Sequence, residues 1–308
     1  MDGLATMVLT GEQKQRAPGG DFLRLRRDAY VRVDEWGQLD DRQRHVVRMY
    51  EVSGRSDDLP LICGWSAAAF WGLTVIGRWL DQVEVMVPDG APGTRPGIKR
   101  RRSSTVPEGV EHSGLLLTPV ARTVVDMARW SPETGVAAAD HALRTGLIEH
   151  DQLREEALSI PPTAPGRALA CAAIAIADPL AETAGESMSR FRQWQLGFPR
   201  PQLQVTFRDA QGFIGRTDEF WESARLIGEF DGRVKYAISS GLAHEEATRR
   251  LWEEKRREDR LRRVVDGVAR WTWREAWEAE PMRAILAGHG LRPSSVPWFD
   301  PVTLLRCD

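Results

Sequence analysis

The residues of this chain best suited to chemistry lie in two neighbouring runs. They are Phe213-Ile214-Gly215-Arg216-Thr217-Asp218-Glu219-Phe220-Trp221 and Leu226-Ile227-Gly228-Glu229-Phe230-Asp231-Gly232, with Glu222-Ser223-Ala224-Arg225 between them. Their aromatic and β-branched content predicts two antiparallel strands joined by a short connection. With Trp221 opposite Leu226, counting outward sets Phe220 against Ile227, Asp218 against Glu229 and Arg216 against Asp231, all on one side of the ribbon. Asp218 and Glu229 then have Cβ atoms roughly 4.5–5.5 Å apart. Facing carboxylates repel, and a divalent cation between them turns the repulsion into a shared ligand set. A slipped register, or an exposed rim where water screens both charges, is the competing reading. Asp231 can pair with Arg216 for at most ~1 kcal/mol, and is also placed to accept a hydrogen bond from an attacking water.

Other charged side chains fall within reach of such a site. A helix expected from Asp178 to Leu196 puts Glu182 and Glu186 on one face. Glu186 either pairs with Arg190 in a solvated acidic stripe or reaches the end of the hairpin as a third carboxylate. Lys235 and Lys255, the latter followed by Arg256, could bring positive charge to a phosphate, although charge runs on helices usually face water. The basic run Lys99-Arg100-Arg101-Arg102 is either a strand edge protected by charge or a phosphate-contacting patch through Lys99 and Arg101. The six histidines show no metal-ligand spacing, and G-x-S-x-G, P-loop and G-x-G-x-x-G patterns do not occur.

The elements that must position these groups form two halves, which 308 residues readily accommodate. Residues 1–20 lack periodicity and read as a flexible lead-in. Residues 21–158 alternate short strands, such as Gln82 to Val87, with helices started by Ser66, Thr118-Pro119 and Ser131-Pro132. The Pro-rich stretch 159–166 is the expected linker. Residues 167–283 hold the second half: a strand from Gln202 to Arg208, the hairpin, a charged helix from Glu245 to Arg263 and a last strand, Val268 to Trp271. A capping box at Thr272 and Glu275 starts a further helix, and residues 284–308 are an irregular tail. Basic and acidic residues nearly cancel, 42 against 44, so any nucleic-acid surface must be local. The three scattered cysteines fit reduced thiols rather than a zinc site or disulfide frame. The longest apolar stretch is about ten residues, half of what a bilayer requires, and no secretory signal is visible. A cytoplasmic protein without membrane partners is expected.

Five segments in order carry a resemblance: Glu182-Thr183-Ala184-Gly185-Glu186-Ser187, Arg216 to Trp221, Glu229-Phe230-Asp231-Gly232, Glu254-Lys255-Arg256-Arg257-Glu258-Asp259 and Arg270-Trp271-Thr272-Trp273. Together they are similar to actinobacterial endonuclease-like domains related to very short patch repair enzymes, within the PD-(D/E)XK nuclease superfamily. The first half resembles an AbiEi-type antitoxin region through Leu25 to Val31, Trp65 to Leu73 and Thr118 to Asp126. The resemblance implies an α/β, restriction-endonuclease-like core with a mixed β-sheet flanked by helices, preceded by a smaller α+β domain. It implies a Mg²⁺- or Mn²⁺-dependent deoxyribonuclease in which Asp218 and Glu229 hold the metal and Glu186 assists. Lys255 or Lys235 would steady the attacking water or the phosphate. DNA is the implied partner, with a toxin protein as a further one if the antitoxin likeness governs. A non-catalytic DNA-binding or antitoxin-like regulator is the alternative. The superfamily lysine would fall at position 231, where this chain has Asp231.

Overall fold

The computed structural model describes residues 2–17, 19–55, 58–91, 95–232 and 244–307. The chain divides into two compact units, Met1–Ala138 with Gly146–Ala170, and Ala139–Thr145 with Cys171–Asp308. Both combine helices with mixed sheets, and no helix among the described residues is long and apolar enough to cross a membrane. Three sequence expectations change. Asp2–Ala5 (α1) and Gly11–Arg16 (α2) are helical and Leu4 is buried, so the expected lead-in is largely structured. The stretch 159–166 lies within the first unit, where Ile160 is buried and its carbonyl accepts from Arg167 Nε at 2.7 Å. The expected tail begins inside a helix and buries Trp298 and Leu304.

In the first unit a β-hairpin of Phe22–Arg26 (β1) and Ala29–Arg32 (β2) leads through Val33–Gln38 (α3) to Asp41–Ser53 (α4). Helix α4 starts on a capping box, Asp40 with Gln43, which satisfies two otherwise orphaned N–H groups. There follow Leu61–Ile62 (β3), Gly64–Trp71 (α5), Val83–Pro88 (β4), Ile98–Ser103 (β5), Val110–His112 (β6), Leu115–Leu117 (β7), Val120–Trp130 (α6), Pro132–Arg144 (α7), His150–Ser159 (α8) and Arg167–Ile176 (α9), of which α7 and α9 end in residues of the second unit. The strands form one sheet in the order β5-β4-β3-β7-β6. Its core joins Val46, Val47 and Met49 of α4 and Ala67 and Phe70 of α5 to Ile62, Val83, Val85, Leu115 and Leu117.

Two buried polar groups organise that core. Glu84 on β4 is fully buried and accepts from Arg101 at 2.5 Å, from Lys99 at 3.2 Å and from the Trp65 N–H at 2.8 Å. His45 is also buried: Nδ1 meets the Leu80 carbonyl at 2.7 Å and Nε2 meets Ser66 Oγ at 2.8 Å. A carbonyl only accepts, so Nδ1 carries the proton and Nε2 accepts from the Ser66 hydroxyl. Ser66, expected to cap α5, is instead inside it, and its Oγ accepts the Glu84 N–H at 2.8 Å.

The second unit is built around Ala184–Gln195 (α10), Gln202–Asp209 (β8), Gly212–Trp221 (β9), Leu226–Phe230 (β10), His244–Leu261 (α11), Gly267–Trp271 (β11), Trp273–Glu278 (α12) and Glu280–Gly288 (α13). The sheet order is β11-β10-β9-β8, antiparallel except for the parallel β10/β11 pair. Strand β9 turns into β10 with Trp221 opposite Leu226, Phe220 opposite Ile227 and Glu219 opposite Gly228, the register counted from the sequence. Alternation along β9 separates two faces. Ile214 and Phe220 pack with Ile227, Val268 and Leu261 of α11. Thr217, Glu219 and Trp221 are buried, with Glu219 reaching Gln193 of α10. Helix α10 also buries Arg190 against Asp140 at 2.6 Å, so of the two readings open for Glu186 the pairing with Arg190 does not form.

Burial lowers the His45 pKa below its ordinary 6.5. The unfolded chain therefore takes up a proton first as pH falls, and the stability contributed by neutral His45 is lost as pH drops below about 6.5. The urea midpoint of the first unit should fall between pH 7 and pH 5, and His45→Gln should flatten that dependence. An unaltered slope in the variant would contradict this assignment.

Candidate functional site: an acidic cluster crossed by two guanidinium groups

The ladder between β9 and β10 ends at Glu219↔Gly228. One step further, where sequence counting sets Asp218 against Glu229, a side chain replaces the main-chain pairing: the Phe230 N–H donates to Asp218 Oδ2 at 2.9 Å. On its other edge β10 continues in register with β11, with Glu229 beside Arg270 and the Asp231 N–H donating to the Trp271 carbonyl at 2.8 Å. Arg216 and Asp231 are therefore not ladder partners as expected; Arg216 reaches Glu182 at 2.6 Å. Divergence of the strands opens a cavity of about 420 Å³ lined by Arg216, Asp218, Glu229, Phe230, Asp231, Glu254, Arg257 and Arg270.

Glu186 approaches from the first turn of α10. The helix begins later than the sequence suggested, capped by Thr183, so Glu182 precedes it and the expected two-residue acidic stripe does not form. Glu186 is buried, and its carboxylate accepts from the Glu182 N–H at 3.0 Å, the Thr183 hydroxyl at 2.8 Å and Gln204 Nε2 at 3.1 Å. Close approach of α10 to β10 requires the glycine before it, because a Cβ on Gly185 would run into the Phe230 ring.

The acids at the strand end differ in how they are neutralised. Burial, then Glu186, then Glu229 push the Asp218 carboxyl up to about 6, against the Phe230 N–H and Arg257. Glu219, one residue on and facing the other way, is pushed to about 8 by burial, with Gln193 Nε2 donating to its Oε2 at 2.5 Å. Glu229 has both oxygens engaged: Oε1 accepts from Arg257 at 2.8 Å and Oε2 from Arg270 at 3.0 Å. A second carboxylate, Glu254, closes a ring of alternating charge by accepting from Arg257 at 3.2 Å and Arg270 at 2.9 Å.

The expected cations fare differently. Lys255 is exposed on α11 and lies over the Trp252 ring, 5.5 Å from its centroid, instead of entering the cavity. Arg256 is exposed as well. Lys99 and Arg101 belong to the first unit, where they neutralise Glu84, and Arg101 also stacks on Trp130 at 3.8 Å. Lys235 lies outside the described residues. Among the described residues Arg216 lines the cavity, and two further cations enter it, Arg257 and Arg270, to which the sequence reading gave no role. A signal was available: counting back from Leu261 at helical spacing gives positions 258, 257 and 254, a stripe that includes Arg257 and leaves Lys255 outside it.

Among the described residues no group of three His, Cys, Asp or Glu side chains meets closely enough to hold a metal alone. A small hard cation such as Mg²⁺ needs only one or two carboxylates, with waters and substrate phosphate completing its shell. Asp218 suits that demand. It is held by one backbone N–H, and its pKa is raised first by burial and then by the negative charge of Glu186 and Glu229. Glu229 is neutralised by two guanidinium groups, whereas the three donors to Glu186 are uncharged, which makes Glu186 the better second donor. No protein-family model, curated protein or solved structure matches this chain.

Because the folded pKa of Glu219 lies near 8 and that of an ordinary glutamate carboxyl near 4.5, the native state loses stability relative to the unfolded chain as pH rises between those values. Glu219→Gln should therefore raise stability at pH 8 by at least about 1.4 kcal/mol, the equivalent of one pKa unit, and bring no gain at pH 4. An equal effect at both pH values in chemical denaturation would contradict this.

Proposed function

We propose that the second unit is a divalent-cation-dependent endonuclease that hydrolyses DNA phosphodiester bonds, built on a restriction-endonuclease-like core of the PD-(D/E)XK type. The observation that carries the reading is Asp218: a carboxyl pushed to about 6 by burial and by Glu186 and Glu229, in a cavity that also receives Arg257 and Arg270. The helix, three antiparallel strands, helix and parallel strand that surround it supply a mixed sheet flanked by helices, which supports the proposed core. Asp218, with Glu186 beside it, would hold Mg²⁺ or Mn²⁺. A cation bound there supplies Lewis-acid polarisation of a phosphate oxygen and a water acidic enough to attack near neutral pH.

The chain's own groups do the remaining work. The Phe230 N–H fixes Asp218 so that one carboxylate edge faces the cavity. Fixed donors cost no reorganisation when charge develops in the transition state. Arg257 and Arg270 supply positive charge that Lys255 does not bring and that Asp231, standing where the superfamily lysine would fall, cannot. Glu229 keeps both guanidinium groups in place. A second reading, a DNA-binding or antitoxin-like regulator without catalysis, draws on one observation: Lys255 is turned to Trp252 and away from the cavity.

Plasmid DNA incubated with the purified chain and Mg²⁺ or Mn²⁺ should be nicked or cut. Asp218→Asn should lower the rate at least about 10²-fold, the scale of losing a preorganised electrostatic group. Ionised Asp218 is required to hold the cation, so the rate should fall about tenfold per pH unit below about 6. Cleavage that survives Asp218→Asn would overturn the site. Binding without cleavage at every metal concentration would leave the regulator reading in its place.

A further inference from the structure

We propose that Arg257 and Arg270 form a clamp for a phosphodiester of a nucleic-acid strand, and that Glu254 keeps the clamp closed in the free protein by holding a carboxylate where the phosphate oxygens would sit. The inference rests on the phosphodiester reading of this cavity and adds to it a recognition site and the group that occupies it.

Two carboxylates bridge the same pair of arginines, and they are not equivalent. Glu229 sits on β10 with its side chain 14% exposed, and each of its oxygens takes one guanidinium. Glu254 sits on α11 with its side chain 45% exposed, and a single oxygen, Oε1, accepts from both arginines. Glu229 is thus the anchor and Glu254 the exchangeable partner. An arginine fork receives a carboxylate and a phosphate through the same parallel N–H donors, so a phosphate can take over the Glu254 position without rebuilding the arginines. Their aim survives the exchange. Arg257 Nη2 also donates to the Arg216 carbonyl at 3.0 Å, and Arg270 Nη1 also meets Glu258 at 3.2 Å.

Charge gives Glu254 a reason to leave. The cavity lining carries Arg216, Arg257 and Arg270 against Asp218, Glu229, Asp231 and Glu254. A bound strand adds further negative charge, and removal of one carboxylate offsets it. Glu254 and Glu258 are also one helical turn apart and both engage Arg270, so swinging Glu254 out relieves a like-charge pair. Phosphate suits the position better than a carboxylate ligand because it has several oxygens. One can lie between the arginines while another faces the cation position at Asp218, 39 residues before Arg257 in the chain but lining the same cavity.

The test is fluorescence anisotropy with a fluorescein-labelled DNA oligonucleotide, using the full chain in an Asp218→Asn background that cannot turn the probe over. Adding Glu254→Gln should lower Kd about tenfold, whereas Glu254→Asp, which keeps the charge, should not. Adding Arg270→Lys to Glu254→Gln, which keeps a positive charge but removes the fork, should abolish the gain. Unchanged or weaker binding by Glu254→Gln, with melting temperature unaltered, would overturn the clamp. If Glu254→Gln lowers the melting temperature, Arg270→Lys against the Asp218→Asn parent decides: unchanged Kd overturns the clamp and a several-fold rise supports it. Inorganic phosphate that displaces the probe at an equal concentration of phosphate groups would overturn the nucleic-acid assignment. Failure of the clamp and failure of the parent reading are separable. Asp218-dependent plasmid cleavage with no Glu254→Gln effect removes the clamp alone, whereas tighter binding without cleavage by the native chain removes hydrolysis alone.

Discussion

The second unit depends on how one carboxylate, Glu229, is neutralised. It stands at the end of β10, where the antiparallel partner strand has separated and only β11 continues alongside. Arg257 arrives from α11 and Arg270 from β11, one guanidinium for each oxygen. A nearly buried acid held this way fixes the helix and the edge strand relative to each other. Removing one partner of such a group is costly, on the order of 3–5 kcal/mol for a fully buried pair and less for one that keeps some exposure. The same tie decides what the site can offer a ligand. Both arginines are aimed before anything binds, while Glu229 itself has little capacity left for a metal.

Adjacent acids on β9 show how alternation along a strand gives neighbouring carboxyls different fates. Glu219 points to the buried face and meets an amide, and its carboxyl is pushed to about 8. Asp218 points to the cavity with other acids nearby, and its carboxyl rests at about 6, where a modest stabilising influence ionises it. Pairs of carboxyls whose environments push their pKa values apart are a recognisable arrangement for division of labour. Here the inner acid is buried against an amide and the outer one faces the cavity.

Legibility in the sequence followed the range of the interaction. The β9/β10 register was countable from the connection and the alternating pattern, because period-two side-chain direction leaves little freedom once Trp221 opposes Leu226. The capping box at Thr272 and Glu275 was equally readable, since all its atoms lie within one turn. Long-range partners were not. Arg190 was matched to Glu186 by helical spacing, yet its partner is Asp140, fifty residues earlier. Lys99 and Arg101 looked like a basic surface, because nothing local announces that Glu84, in a strand buried on both faces, requires their charge. Lysine was sought as the site's cation through resemblance, whereas the stripe counted back from Leu261 of α11 carries Arg257 instead.

Whether Asp218 holds a divalent cation is read in an anomalous difference map from crystals of the chain soaked in Mn²⁺ near pH 7. The expected result is a peak within coordinating distance of the Asp218 carboxylate, with Glu186 as the second acid and Glu229 still bonded to Arg257 and Arg270. A map with no peak at Asp218, or with manganese only at other acids, would contradict it.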